Sequence, residues 1–188
     1  MTVRARRPMV AVVGDSNLEP TDERVRMARE VGCFLVDHGC RVITGGLGGV
    51  MAAAMENARQ STKYHEGDTV GVLPGHDPSE AAEAADIVLA TGMSLGRNVV
   101  VANADGLIAI GGGAGTLSEI ALAWQLRRPI VALDADGWSR KLCACRIDER
   151  TRQADLADDQ VHAATTPADA VRRMLGLLPK YTKRMRYV

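Results

Sequence analysis

Two charged residues and three groups of glycine carry the chemistry this sequence is equipped to do. Arg97 stands in the stretch Thr91-Gly92-Met93-Ser94-Leu95-Gly96-Arg97-Asn98, and Glu119 follows Thr116 of Gly113-Ala114-Gly115-Thr116 by three residues. A guanidinium presents a planar fork of donors that suits phosphate or carboxylate. A carboxylate near an anion site would by itself repel phosphate. Glu119 therefore points to stabilisation of developing charge or to binding of sugar hydroxyls, with Arg97 offsetting the repulsion. From spacing alone a plainer alternative stays open, in which Glu119 only satisfies a helix dipole and Arg97 is a surface residue.

The chain has 19 glycines, and they are informative by position. Gly14 closes one β-branched run, with Ser16 two residues on. Gly45-Gly46-Leu47-Gly48-Gly49 follows a second such run, and Gly111-Gly112-Gly113-Ala114-Gly115-Thr116 a later one. In an open parallel sheet, ligands bind beyond the carboxyl ends of the strands, where glycine lets the main chain come close. The second and third groups run directly into helical patterns, whose free N–H groups attract an anion. Tight strand-to-helix turns would explain one such pair of glycines. Two glycine-rich helix openings point instead to a phosphate site; the candidate ligand-binding residues are Gly14, Ser16, Gly45, Gly46, Gly48, Gly49, Arg97, Asn98, Gly112, Gly113, Gly115, Thr116 and Glu119.

The elements that must position these groups alternate along the chain. Residues 9–13, 41–44, 69–73, 86–90, 106–110 and 130–133 read as short strands. Helices are expected from a cap at Thr21 to a stop at Gly39, and over 51–60, 95–103, 115–126 and 167–178. This alternation implies right-handed βαβ units. The fold class is α/β: a single Rossmann-like domain over residues 1–188, a parallel sheet with helices on both faces, and a basic tail over 179–188. In the helix opened by Gly115, the expected sheet-facing residues are Leu117, Ile120, Ala121 and Trp124, with Glu119 in the first turn on the opposite side. Leu122, Ala123 and Leu126 are then apolar surplus, which predicts a homodimer or homotetramer through this helix, unless the helix over 167–178 covers it.

Composition narrows the partners. Lys plus Arg equals Asp plus Glu at 23 each, and aromatic residues make up only 3%. Nucleic-acid binding usually needs a basic excess and stacking platforms, so no nucleic acid is expected. No apolar stretch reaches membrane-span length, and no export signal is evident, so a cytoplasmic protein with reduced thiols and no membrane partner is expected. Cys143 and Cys145 form a C-x-C without a second pair at metal-ligand spacing, and no metal site is assigned.

The familiar nucleotide motifs fail in detail. The phosphate-binding sequence G-x-x-x-x-G-K-[ST] is absent, Met51 stands where the dinucleotide fingerprint needs a third small residue, and no acid ends the second strand. NAD is therefore not expected. Pyridoxal phosphate is not expected either, since none of the four lysines adjoins a glycine loop.

The run Gly112-Gly113-Ala114-Gly115-Thr116-Leu117-Ser118-Glu119 resembles the G-G-x-G-T-x-x-E motif of the LONELY GUY family and its relatives. Thr44-Gly45-Gly46-Leu47-Gly48-Gly49-Val50-Met51 is similar to that superfamily's second glycine loop, and Gly14 with Ser16 to its first turn. The likeness runs over about residues 9–133. It implies a Rossmann-like homo-oligomer that binds a nucleotide-like ligand. Some members are phosphoribohydrolases that release base from nucleoside 5′-monophosphates, some are molybdenum cofactor carriers, and many were once labelled lysine decarboxylases. By position, Glu119 would match the hydrolase carboxylate and Arg97 its catalytic arginine. Gly111 replaces the hydrolases' proline, and Asn98 replaces the lysine that follows their arginine. Both departures place the chain closer to the molybdenum cofactor carrier-like branch. The resemblance thus implies carriage or storage of a phosphorylated heterocycle, with molybdenum cofactor as possible cargo and no cofactor needed for the fold. Hydrolysis of a nucleoside monophosphate is the alternative.

Overall fold

A parallel sheet is covered on both faces, so its central strands must be apolar throughout. The runs MVAVVG, GLIAI and IVAL meet that requirement. A computed structural model describes residues 6–181. Seven strands, β1 (Met9–Gly14), β2 (Arg41–Thr44), β3 (Thr69–Leu73), β4 (Ile87–Ala90), β5 (Gly106–Ile110), β6 (Ile130–Leu133) and β7 (Val161–Ala164), form one parallel sheet in the order β4-β3-β2-β1-β5-β6-β7. Six α-helices accompany them: α1 (Glu23–Asp37), α2 (Val50–Ala58), α3 (Asn98–Ala102), α4 (Ala114–Gln125), α5 (Trp138–Leu142) and α6 (Pro167–Leu177).

Alternation along each strand divides the core in two. Val10, Val12, Ile108 and Ile110 join Leu35, Met55 and Met174 from α1, α2 and α6 on one face. Ala11, Val13, Leu107 and Ala109 join Val101, Ile120 and Trp124 from α3 and α4 on the other. A buried group fastens the far end of α4. The Arg152 guanidinium lies over the Trp124 ring, 3.5 Å from its centroid, and pairs with Asp159, which also accepts from the Tyr181 hydroxyl at 2.6 Å.

Several expectations change. Asp22, not Thr21, caps α1: its carboxylate accepts the Arg24 N–H at 2.9 Å, two residues ahead, as an extended N-cap does. The helix expected over 95–103 divides into a 3₁₀ turn, Ser94–Arg97, and the short α3. Helix α5 and strand β7 were not anticipated. Helix α4 begins at Ala114, which places Glu119 in its second turn. Its buried stripe is Thr116, Glu119, Ile120, Ala123 and Trp124, whereas Leu117 and Ala121 are half-exposed. Glu119 is thus buried, not turned away from the core.

The apolar surplus expected on α4 is also used within the chain. Ala123 is fully buried, and Leu122 and Leu126 pack against the second core cluster, as do Leu142, Cys143 and Ile147. Helix α6 does not cover α4, because it lies on the other face against α1. Large apolar residues are exposed elsewhere, at Ile87, Leu89, Met93, Leu95 and Val99. No helix among the described residues is long and apolar enough to cross a membrane. The N-terminal residues 1–5 and most of the expected basic tail, 182–188, lie outside the described residues.

Candidate functional site

The strand order reverses between β1 and β5, so the connections after them leave on opposite faces and open a crevice beyond their carboxyl ends. All three glycine turns meet around it. The second turn packs on the first. Gly49 has a φ of +60°, and a Cβ added there would lie 2.2 Å from the Asp15 carbonyl oxygen, which accepts the Val50 N–H at 3.0 Å. Gly48 makes the same close approach to the Ser16 carbonyl, and Gly46 to Leu73 and Gly71. These glycines therefore answer a packing need between backbones. Gly14 does likewise against the Ile110 carbonyl, while Ser16 is exposed at the mouth of the crevice.

The third turn is held rigidly by residues distant in sequence. Gly111 N–H donates to Ser139 Oγ at 2.8 Å, and its carbonyl accepts the Ser139 N–H at 3.0 Å. Gly112 N–H donates to Asp15 Oδ2 at 2.8 Å, and its carbonyl accepts the Trp138 N–H at 2.9 Å. Gly112 has a φ of +96°, and an added Cβ would collide with Thr116, which is buried against it. Beyond this clamp the character changes. Gly113 and Gly115 are exposed, and a Cβ added at either would meet nothing within 4 Å. Helix α4 has no side-chain cap, and its first intrahelical bond runs from Leu117 N–H to the Gly113 carbonyl at 3.0 Å. The amides of Ala114, Gly115 and Thr116 precede that bond at the positive end of the helix, the first two on exposed residues and the third on a buried one.

Arg97 and Glu119 meet beside this opening. Arg97 Nη1 donates to Glu119 Oε1 at 3.1 Å, and both side chains are about nine-tenths buried. Gly45 is what admits the guanidinium, since an added Cβ would lie 2.4 Å from Arg97 Nη1. The turn that delivers Arg97 starts at Ser94 with a φ of +52°, a sparsely populated conformation for a residue with a side chain. Burial raises the Glu119 carboxyl from 4.5 to about 7, and the Arg97 charge and hydrogen bond pull in the opposite direction. Near neutral pH the carboxyl is divided between its protonated and ionised forms, and its protonation is set by the pair. Asn98 is buried and donates to Ser118 Oγ at 2.7 Å; Ser118 in turn donates to the Gly115 carbonyl. Asn98 thus ties α3 to the first turns of α4.

Sequence reasoning missed Asp15, Arg24, Trp138 and Ser139. Asp15 was legible by position, since it follows the strand-ending Gly14, but its bond to Gly112 spans 97 residues. Ser139 and Trp138 carry no local signal at all. Among the described residues no group of His, Cys, Asp and Glu is arranged to hold a metal ion; Cys143 is half-buried and Cys145 exposed.

A parallel sheet that reverses at β1 and β5, with glycine turns gathered at the reversal, defines a doubly wound Rossmann-like α/β domain. More particularly, the chain belongs to the SLOG cluster4 family, whose model matches residues 7–171. It is similar to the molybdenum cofactor binding protein from the phototrophic bacterium Rippkaea orientalis, with 29% identity, a TM-score of 0.74, and 92% and 98% of the two chains covered. It is similar also to the molybdenum cofactor carrier protein from Chlamydomonas reinhardtii, with 32% identity, a TM-score of 0.73, and coverage of 93% and 99%. An uncharacterized protein of Archaeoglobus fulgidus is 37% identical over 125 residues, 66% of this chain and 78% of its own length. The likeness to the molybdenum cofactor carrier-like branch, read from Gly111 and Asn98, is borne out by these neighbours.

Proposed function

We propose that this protein binds a small phosphorylated heterocycle at the opening of α4 and acts as its carrier or store. The observation that carries this reading is the uncapped N-terminus of α4, with Gly113 and Gly115 in open space beside the buried Arg97–Glu119 pair. The phosphate would accept from the amides of Ala114, Gly115 and Thr116. The two solved structures named for molybdenum cofactor support that cofactor, whose pterin carries a phosphate, as the cargo. In this reading Arg97 adds a compensating charge, Asn98 holds the first turns of α4 through Ser118, and no further cofactor is required. The reading keeps the expected cytoplasmic setting.

A phosphoribohydrolase would need Glu119 ionised and within reach of the ribose C1′. Its side chain is only 7% exposed, which leaves little of it open to a ribose and favours carriage. Mass spectrometry of the species that co-purifies should find a phosphorylated pterin or related heterocycle. Incubation with nucleoside 5′-monophosphates should release no free base; release that Glu119→Gln abolishes would establish the hydrolase instead.

The reading includes assembly as a homodimer or homotetramer. The β4 end of the sheet lacks full helical cover on its α3 face, and Ile87, Leu89 and Val99 are 45%, 43% and 38% exposed there. A parallel sheet left bare in this way is normally covered by something, and a second copy meeting it about a two-fold axis is the simplest cover.

A further inference from the structure

At the strand reversal, a carboxylate occupies a place where the fold would otherwise offer an amide to a ligand. Asp15 Oδ2 accepts the Gly112 N–H at 2.8 Å and the Arg24 Nη1 donor at 2.9 Å. The fit is close, because a Cβ added at Gly111 would lie 2.8 Å from the same oxygen. Arg24 is shared. Its Nε and Nη2 donate to the two Asp22 oxygens at 3.0 and 2.7 Å, so one guanidinium faces two carboxylates. With one positive and two negative charges, the cluster keeps a net charge of −1. Asp15 and Arg24 are each about a quarter exposed, so the cluster borders the crevice instead of being sealed beneath it.

We propose that Asp15 is a specificity-determining residue that stands, as an internal anion, where a second anionic group of the ligand would sit. The inference rests on the reading of the α4 opening as the phosphate site. A single phosphate at Ala114, Gly115 and Thr116 is supported by free amides and the helix dipole. A second one, extending towards the turn after β1, finds the Gly112 amide already engaged and meets a cluster of its own sign. Ligands with one phosphate are accepted, and those with a pyrophosphate are opposed.

The test compares inorganic phosphate with pyrophosphate by titration calorimetry at fixed ionic strength, in the wild type, Asp15→Asn and Arg24→Gln. Asn keeps an oxygen for the Gly112 N–H and removes the charge. Asp15→Asn should improve pyrophosphate binding by about tenfold or more while phosphate changes by less than about threefold, the scale expected for one charge at close range near a protein surface. Arg24→Gln exposes both carboxylates and should move the ratio of the two affinities in the opposite direction. A merely structural role would weaken both ligands in both variants and leave the ratio alone. An unchanged ratio, with phosphate still bound, overturns the role of Asp15 and leaves the phosphate site standing. Failure of the wild type to bind inorganic phosphate overturns the site and this inference together.

Discussion

Glu119→Gln should make the pH dependence of stability visibly shallower. In the folded protein burial holds the Glu119 carboxyl at about 7, against 4.5 for an ordinary glutamate. The sign follows from proton binding: between those two values the folded state keeps a proton that the unfolded state has released. Stability contributed by the neutral carboxyl is therefore full at acid pH, falls as pH rises through that window, and levels off above it. Integrated from pH 5 to pH 8, the loss is about 2–3 kcal/mol. Glutamine has the same shape and no proton to lose. The difference in unfolding free energy between variant and wild type should move by that amount across the window, whatever its absolute value at either end. All other titrations are common to both proteins and cancel. Urea melts at four pH values would measure it, and the relative Tm should shift by roughly 5–10 °C for a chain of this size. Parallel curves, within about 0.5 kcal/mol from pH 5 to 8, would refute the reasoning, because the Arg97 charge would then offset burial in full.

Other outcomes follow from the same geometry. Gly113→Leu and Gly115→Leu point into open space and should keep Tm within about 4 °C while abolishing phosphate binding, whereas Gly49→Leu should prevent folding because both its φ and its contact with Asp15 forbid a side chain. Retained phosphate affinity in both of the first two variants would place the site elsewhere. Arg152→Met strips Asp159 of its ion pair in a site where both side chains are 3% exposed, and chemical denaturation should register a loss of about 3–5 kcal/mol. A loss below about 1 kcal/mol would show that the pair adds nothing. Light scattering at micromolar concentration should find more than one chain per particle, with Leu89→Lys plus Val99→Asp reducing it to one. Leu126→Glu should instead lower stability, since that side chain packs into its own core. A wild-type mass of a single chain would defeat the assembly.

How far the sequence could be read depended on how local each signal was. Strands β1 to β6 were legible because β-branched runs bounded by glycine and polar residues have few other uses in a chain of this composition. Strand β7, Val161–Ala164, was not: VHAA is short and half alanine, a residue with little preference for strands. The burial of Glu119 was hidden by its own charge. Apolar periodicity placed Leu117 and Ala121 towards the sheet, but the first turns of α4 face the crevice, so Thr116 and Glu119 join the buried stripe and Arg97 supplies the partner. The glycine turns could be located, though not divided by role. Only coordinates separate Gly49, which admits a backbone, from Gly113, which leaves space empty. The clamp by Asp15 and Ser139 links residues 97 and 28 positions apart, and periodicity has no access to such pairs.

The central position of β1 has a consequence for how the protein is made. One neighbour, β2, follows within a few dozen residues, but the other, β5, pairs Gly106 with Val10. While the chain emerges, α1, α2 and β2 to β4 can assemble on β1 and leave MVAVVG with an unpaired side, an apolar ribbon open to any other strand. Docking of β5 on that side joins residues far apart in sequence and completes the centre of the sheet. The crevice comes into being only at that moment, because one wall belongs to β1 and the other to β5. A ligand bound there stabilises no half-built intermediate and draws population only to chains in which β5 has docked, in proportion to its concentration over its Kd. If the protein carries the ligand proposed above, cells poor in that ligand would accumulate less of the protein, and its abundance would follow supply.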